Sequence, residues 1–199
     1  MTEYEKAQNG FLYDANYDSD LGKLRLDCAE KCYDFNMCRP SDFESQKKIM
    51  DTIIGTVKGS YFITQPFHCD YGKNITLGDK FYSNYNLMIL DGAKVTFGDN
   101  IFIAPNCVFS TAGHAIDTEQ RNKGLEIALP ITVGNNVWFG ANVTVLPGVT
   151  IGNDVVIGAG SLVNKDIPDG VIAAGVPCRV IRKITEEDKH KYSIYSEKD

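Results

Sequence analysis

The chain has no run of 18 apolar residues, which excludes a membrane-spanning helix. Its first ten residues, MTEYEKAQNG, lack a basic stretch followed by an apolar one, so no secretory leader is read there and a cytoplasmic protein is expected. Basic residues are outnumbered, 20 Lys and Arg against 26 Asp and Glu, for a net charge of −6. Such a surface has no general attraction for nucleic acid or anionic lipid, and an anionic ligand would need a local basic patch. Histidine is scarce, with only His68, His114 and His190, and Trp138 is the single tryptophan. Cysteine is present six times, yet without a leader no disulfide framework is expected. Cys28 and Cys32 lie one helical turn apart and Cys38 follows closely. No Cys-x-x-Cys pair or neighbouring histidine completes a tetrahedral set, so these cysteines are read as small buried side chains and no metal is expected.

What the chain does have is length for one sizeable core, 199 residues at 43% hydrophobic content. Residues 1–58 read as a helical segment. Leu21, Leu24, Cys28 and Cys32 recur at helical spacing, and Arg39-Pro40 is a stop. Ser41-Asp42-Phe43-Glu44 then reads as a capping box opening a second helix that runs to about Thr56, ahead of Lys58-Gly59.

From about residue 75 the period changes to six. Written from Val133, the chain runs VGNNVW, FGANVT, VLPGVT, IGNDVV, IGAGSL, VNKDIP, each hexad opening on an apolar residue. Neither a helix nor a hairpin array has this period. Residues 18 apart match best: Val133 with Ile151, Phe139 with Ile157, Val145 with Val163, Gly134 with Gly152 and Gly140 with Gly158. Like residues every third hexad describe a three-sided solenoid that stacks its apolar corners. The glycines suit corners where a Cβ would crowd the backbone.

The same register is legible from Leu77 but slips by two around Leu90-Asp91-Gly92, which predicts a bulge or widened corner. After Phe109 it is lost until Val133. Residues 113–130 are polar with Gly113, Gly124 and Pro130, and read as a loop ejected from the prism, where chemistry is expected. Gly175-Val176-Pro177 ends the repeat, Val180 and Ile181 are expected to cover its open end, and a short charged helix is expected from Thr185. The expected divisions are therefore a helical segment 1–58, a solenoid 59–184 and a tail 185–199.

The stretches FYSNYN (81–86), STAGH (110–114), ITVGNNVWFGANVTVLPGVTIG (131–152) and AAGVPCRVIRKI (173–184) resemble the hexapeptide-repeat acyltransferases, specifically the maltose and galactoside O-acetyltransferases. The resemblance covers nearly the whole chain. It implies a left-handed parallel β-helix assembled as a homotrimer, with sites between subunits, that moves an acetyl group from acetyl-CoA to a sugar hydroxyl. The hydroxyl must lose its proton as it attacks and the carbonyl oxygen must be stabilised. Histidine suits the first need, and His114 matches the family's catalytic stretch. Asn84 matches the active-site asparagine, an uncharged donor to an oxyanion or acyl carbonyl. Either Glu126 or a backbone carbonyl would orient His114.

By the same resemblance Asp14, Arg25, Asp70 and Asp91 are candidate sugar ligands, with Asp70 closer to the maltose-type pattern. Gly92 stands where some relatives have Asp, which leaves the acceptor open. Lys165, Arg179, Arg182 and Lys183 form the concentrated basic group able to meet acetyl-CoA phosphates. Ala141, Ala159 and Asn164 are implied contacts for the pantetheine arm. Trp138 would pack against that arm or fill a trimer contact. No serine or cysteine adjoins His114 as a nucleophile, so direct transfer in a ternary complex is expected, without a metal. Transfer to an antibiotic or amino sugar is the alternative acceptor class. A γ-carbonic-anhydrase-like metal enzyme would need three clustered histidines, and a non-catalytic trimeric scaffold would not need His114 and Asn84.

Overall fold

The computed structural model describes residues 1–193; the last part of the expected tail, 194–199, lies outside the described residues. Three parallel sheets make a triangular parallel β-helix. Face one stacks Thr56–Val57, Ile75–Leu77, Val95–Phe97, Ile131–Val133 and Thr150–Ile151. Face two stacks Tyr61–Ile63, Phe81–Ser83, Ile101–Ile103, Val137–Phe139, Val155–Ile157 and Val171–Ala174, closed by the antiparallel strand Arg179–Lys183. Face three stacks Phe67–Cys69, Leu87–Leu90, Val108–Ser110, Thr144–Val145 and Leu162–Val163.

The pairings read from the sequence are the observed ones: Val133 lies over Ile151, Phe139 over Ile157 and Val145 over Val163. Inward residues of all three faces fuse into one core. Within it Phe81, Phe97, Phe109 and Phe139 pack edge to face with centroids 5.0–5.1 Å apart. The hexad glycines are needed for close approach. A Cβ at Gly134 would stand 2.8 Å from the Gly152 backbone, and one at Gly140 2.5 Å from the Ala159 amide nitrogen. Left-handed backbone falls two residues later, on Asn100, Asn136 and Asp154 at one corner and Asn86, Asn106 and Asn142 at the next. Their side chains form ladders, Asn86 to Asn106 and Asn100 to Asn136 to Asp154, at 2.8–2.9 Å.

The corner between faces three and one departs from this economy. Its strands are eight residues apart at Phe67/Ile75 and Leu87/Val95, against six at Val145/Ile151. The predicted slip at Leu90-Asp91-Gly92 is therefore a widened corner, and residues 70–74 repeat it one coil above. The third member of the column is the excursion after Ser110.

Helices α1 (Glu3–Gln8), α2 (Ser19–Met37) and α3 (Phe43–Ile53) precede the prism. Cys28, Cys32 and Phe35 of α2, with Met50 and Ile53 of α3, continue the solenoid core and close its first coil. Leu24, expected on that face, is exposed. Asp42, not Ser41, caps α3 by accepting from the Ser45 amide at 3.1 Å, because its carboxylate lies one residue nearer the first turn. The helix ends at Ile53 rather than Thr56, since Ile54 is buried and Thr56–Val57 already forms the first rung. The helical segment is thus interrupted as well as shorter, with a strand at Tyr13–Asp14 between α1 and α2.

At the other end, Arg179–Lys183 seals the edge of face two by backbone pairing, while Val180 and Ile181 stay exposed and cover no core. The charged helix after Thr185 is a 3₁₀ turn, Glu186–His190. Among the described residues, no helix is long and apolar enough to cross a membrane.

Candidate active site

The excursion expected to be a loop is folded. Ala112–His114 and Leu125–Ala128 form an antiparallel hairpin around the short helix α4 (Thr118–Asn122), and Tyr13–Asp14 adds a third strand. This small sheet has its own apolar floor of Tyr13, Ala15, Leu21, Tyr71, Ala93 and Ala128. The floor draws on both widened corners, so the extra residues at 70–74 and 90–94 form the bed on which the excursion lies.

The register puts Tyr13, Glu126 and His114 in one cross-strand row. The Tyr13 hydroxyl donates to Glu126 Oε2 at 3.1 Å, and Glu126 Oε1 lies 3.6 Å from His114 Nε2. That gap is longer than a hydrogen bond. The His114 side chain is about half exposed, at 51%, while Glu126 retains 18%. Burial, and then the Glu126 charge, push the Tyr13 phenol up, so it stays a donor.

Asp70 stands behind this row. Burial pushes its carboxyl up, the Arg25 guanidinium pulls it down, and Glu126 pushes it up again. Arg25 Nη1 donates to the Tyr71 hydroxyl at 2.9 Å and Nη2 to the Ala15 carbonyl at 2.7 Å, tying the two walls together. Gly92 leaves the space beneath Tyr13, where a Cβ would stand 3.1 Å from the phenolic oxygen.

Two expected sugar ligands are placed otherwise. Asp91 is fully buried, and its carboxylate accepts from the amides of Asp70, Tyr71 and Asn74 at 2.8–3.3 Å. It holds the corner above in shape and does not face the cleft, which corrects the sugar-contact expectation. Asp14 is one residue out of register with the row and points to the opposite face of the sheet, where it accepts from the Tyr17 amide at 2.9 Å. His68 is exposed on face three and His190 in the terminal 3₁₀ turn.

Asn84 is at another corner, between faces two and three. Its side-chain oxygen accepts from the Tyr85 amide at 2.8 Å, leaving its NH₂ to donate outward. Below it, rung by rung, come Ala104-Pro105, Gly140-Ala141 and Gly158-Ala159, linked by amide-to-carbonyl bonds. The width of face three separates this column from His114, so one chain does not bring the two together. Trp138 is half exposed on face two, in register with Phe102 above and Val156 below.

Asn164 and Lys165 lie on the His114 corner column, two coils down, and Arg179 Nη1 reaches Asn164 Oδ1 at 3.4 Å. Arg179, Lys183 and Lys165 are exposed. Arg182 is committed to a two-pronged pair with Asp188 at 2.6 and 2.8 Å, so the basic group carries less free charge than its sequence suggests.

Residues 130–165 match the model of the bacterial transferase hexapeptide, six repeats, and residues 6–59 match the maltose acetyltransferase hexapeptide capping motif. The galactoside O-acetyltransferase of Escherichia coli K12 is 49% identical over 192 residues, 96% of this chain and 94% of that protein. The chain belongs to the maltose and galactoside O-acetyltransferase family of hexapeptide-repeat enzymes. Solved members superpose closely on this acetyltransferase. A maltose O-acetyltransferase from Clostridium difficile 630 has a TM-score of 0.91 at 45% identity, covering 94% of this chain and 99% of that one. A galactoside acetyltransferase in complex with coenzyme A has a TM-score of 0.93 at 44% identity, covering 98% and 100%.

Sequence reasoning missed Tyr13 and Tyr71 in this acetyltransferase. Both tyrosines sit beside residues that it did single out, Asp14 and Asp70, and the signal that would have found them is an aromatic next to a candidate ligand in a polar stretch.

Proposed function

We propose that the enzyme transfers the acetyl group of acetyl-CoA to a hydroxyl of a sugar, with His114 as general base, at sites shared between the subunits of a homotrimer. The single observation that carries this reading is the separation of His114 and Asn84 on two corners of one prism. A half-exposed imidazole backed by Glu126 and Tyr13 is one half of a transferase site, and the Asn84-Ala141-Ala159 column is the other. Packing chains side by side brings the corner of one against the corner of the next, which a closed ring of subunits permits. Exposed aromatics stacked on face two, Phe62, Phe102 and Trp138 with Tyr82 between them, supply apolar surface for such packing beside the Asn84 corner.

In the reaction, an imidazole nitrogen of His114 takes the proton of the acceptor hydroxyl as its oxygen bonds to the thioester carbonyl carbon. The negative charge moves to the carbonyl oxygen, where the Asn84 NH₂ donates to it. The C–S bond then breaks, the coenzyme leaves as thiolate, and the imidazolium returns the proton to sulfur. Glu126, held by Tyr13, steadies the ring and its positive charge. Arg25 and Asp70 bind acceptor hydroxyls, with Asp14 serving a site built from the neighbouring chain. Trp138, Ala141 and Ala159 flank the pantetheine arm. Arg179, Lys183 and Lys165, with Asn164, receive the phosphates, and Arg182 joins them when Asp188 releases it.

The test mixes two inactive variants. His114→Ala and Asn84→Ala, unfolded and refolded together at equal amounts, should regain about a quarter of wild-type CoA release on a maltose, glucose and galactoside panel, because that fraction of shared sites draws one intact residue from each parent. Failure of the mixture to exceed either parent, with both folded, would refute the shared site. Wild-type protein that releases no CoA with any sugar would refute the acceptor class.

A further inference from the structure

The cysteines at the seam between cap and prism are placed differently from their sequence reading. Cys28 and Cys32 project from one face of α2, as residues four apart do. The third member is Cys69, on the first strand of face three, not Cys38, whose thiol donates to the Asp34 carbonyl at 3.3 Å. The Cys69 sulfur lies 3.4 Å from that of Cys28 and 3.8 Å from that of Cys32, and all three sulfurs fall within 4.8 Å of one another. Cys28 and Cys32 are 3% and 2% exposed. None of the three is in a disulfide.

Sulfurs that share one ion at about 2.3 Å stand about 3.8–4.0 Å apart, for tetrahedral or trigonal arrangement alike. The Cys28–Cys69 and Cys32–Cys69 separations, 3.4 and 3.8 Å, lie within about half an ångström of that figure, and the third is no more than 4.8 Å. Thiolates select soft ions such as Zn(II) and Cu(I) over hard ones. The transfer chemistry uses none of the three cysteines. Cys107 and Cys178, by contrast, stand apart from the trio, and Cys107 donates to the Gly140 carbonyl at 3.3 Å.

We propose that Cys28, Cys32 and Cys69 form a three-thiolate site for a soft metal ion that fastens helix α2 to the first coil. Binding makes three metal–sulfur bonds and breaks three S–H bonds, the thiol protons passing to water. The ion adds to the apolar contact and to the paired hydrogen bonds of Asn36 with the Phe67 backbone, at 2.8 and 2.9 Å, that already join the two segments, and its ligands adjoin the acceptor wall. Arg25 lies one turn before Cys28 on α2, and Asp70 directly follows Cys69. The site is independent of the acetyl-transfer reading.

The experiment titrates reduced, full-length protein with Cd(II) under argon. The thiolate-to-cadmium ultraviolet band should saturate at one ion per chain, and the melting temperature should rise because only the folded chain presents all three sulfurs. Cys69→Ser and Cys28→Ser should each weaken binding by more than the about 10–100-fold typical of losing only a supporting group. Cys38→Ser should bind as wild type. Absence of the band at one equivalent, or Cys69→Ser binding as tightly as wild type, would overturn the site. Should a serine variant fail to fold, the wild-type stoichiometry and melting shift decide alone: either one absent overturns the proposal.

Discussion

The two ends of one edge of the prism obey different rules. In the lower coils the corner between faces three and one is crossed from Val145 to Ile151 with nothing to spare. In the upper coils the same corner holds two extra residues, twice, and then an excursion that fills residues 111–130. The lower corners are backbone stacked on backbone. The upper ones carry a buried carboxylate, a second small core and the His114 row. A solenoid coil touches only its neighbours, so one edge can be widened while the other two keep the rungs in step. In the proposed reaction, therefore, the base sits in the departure from the repeat, while Asn84 and the pantetheine column stay on its regular corners.

The sharpest way to break this division is at His114. His114→Ala should lower kcat about 10²–10⁴-fold, the range of a positioned base, with an unchanged melting curve. Loss of fold with the activity would mean that the excursion is part of the scaffold. The reverse should hold for Phe139, fully buried where the aromatic stack meets face two. Phe139→Ala should cost about 3–5 kcal/mol by urea denaturation, and the protein that remains folded should keep its KM for the acceptor. An acceptor KM that rises tenfold would blur the two regions.

Asp91 tests the widened corner itself. Burial, set against the amides of Tyr71 and its neighbours, lifts its carboxyl to about 6. The folded chain thus holds this proton where the unfolded chain, near 3.9, has lost it. Stability from this group is full below about pH 4 and is lost as pH rises toward 6. Relative to Asp91→Asn, the wild type should lose up to about 3 kcal/mol between pH 4 and 7. Parallel urea midpoints for the two proteins across that interval would rule this out. The smallest effect is expected at Gly113, where an added Cβ meets nothing within 4 Å. Gly113→Ala should change stability by less than about 0.5 kcal/mol, and a larger loss would show a tightness in the excursion that the lower glycines have and this one lacks.

The repeat was legible because each rung is written three hexads from the next, and its glycines sit where backbones touch. Its interruption was legible too, as a slip and then a gap. The sheet inside the gap was not. Its third strand, Tyr13–Asp14, comes from about a hundred residues upstream, and no local pattern announces that pairing. His114 and Glu126 were both singled out, yet their adjacency depends on a hairpin register that polar residues leave open. Asp91 was misread because a carboxylate aimed at backbone amides and one aimed at a sugar look alike in a string of letters. Cys69 escaped notice for the same reason as Tyr13, being 37 residues beyond its helical partner Cys32.

The bare turn Leu146–Val149 directly below the excursion has a practical meaning for anyone wishing to re-aim the enzyme. It is the next storey of the same edge, without an insertion, and it turns at Pro147-Gly148, where the Gly148 amide donates to the Leu129 carbonyl of the excursion at 3.4 Å. A hairpin grafted there would hang beside the existing one without changing a rung, adding a second wall against which a bulkier alcohol could lean.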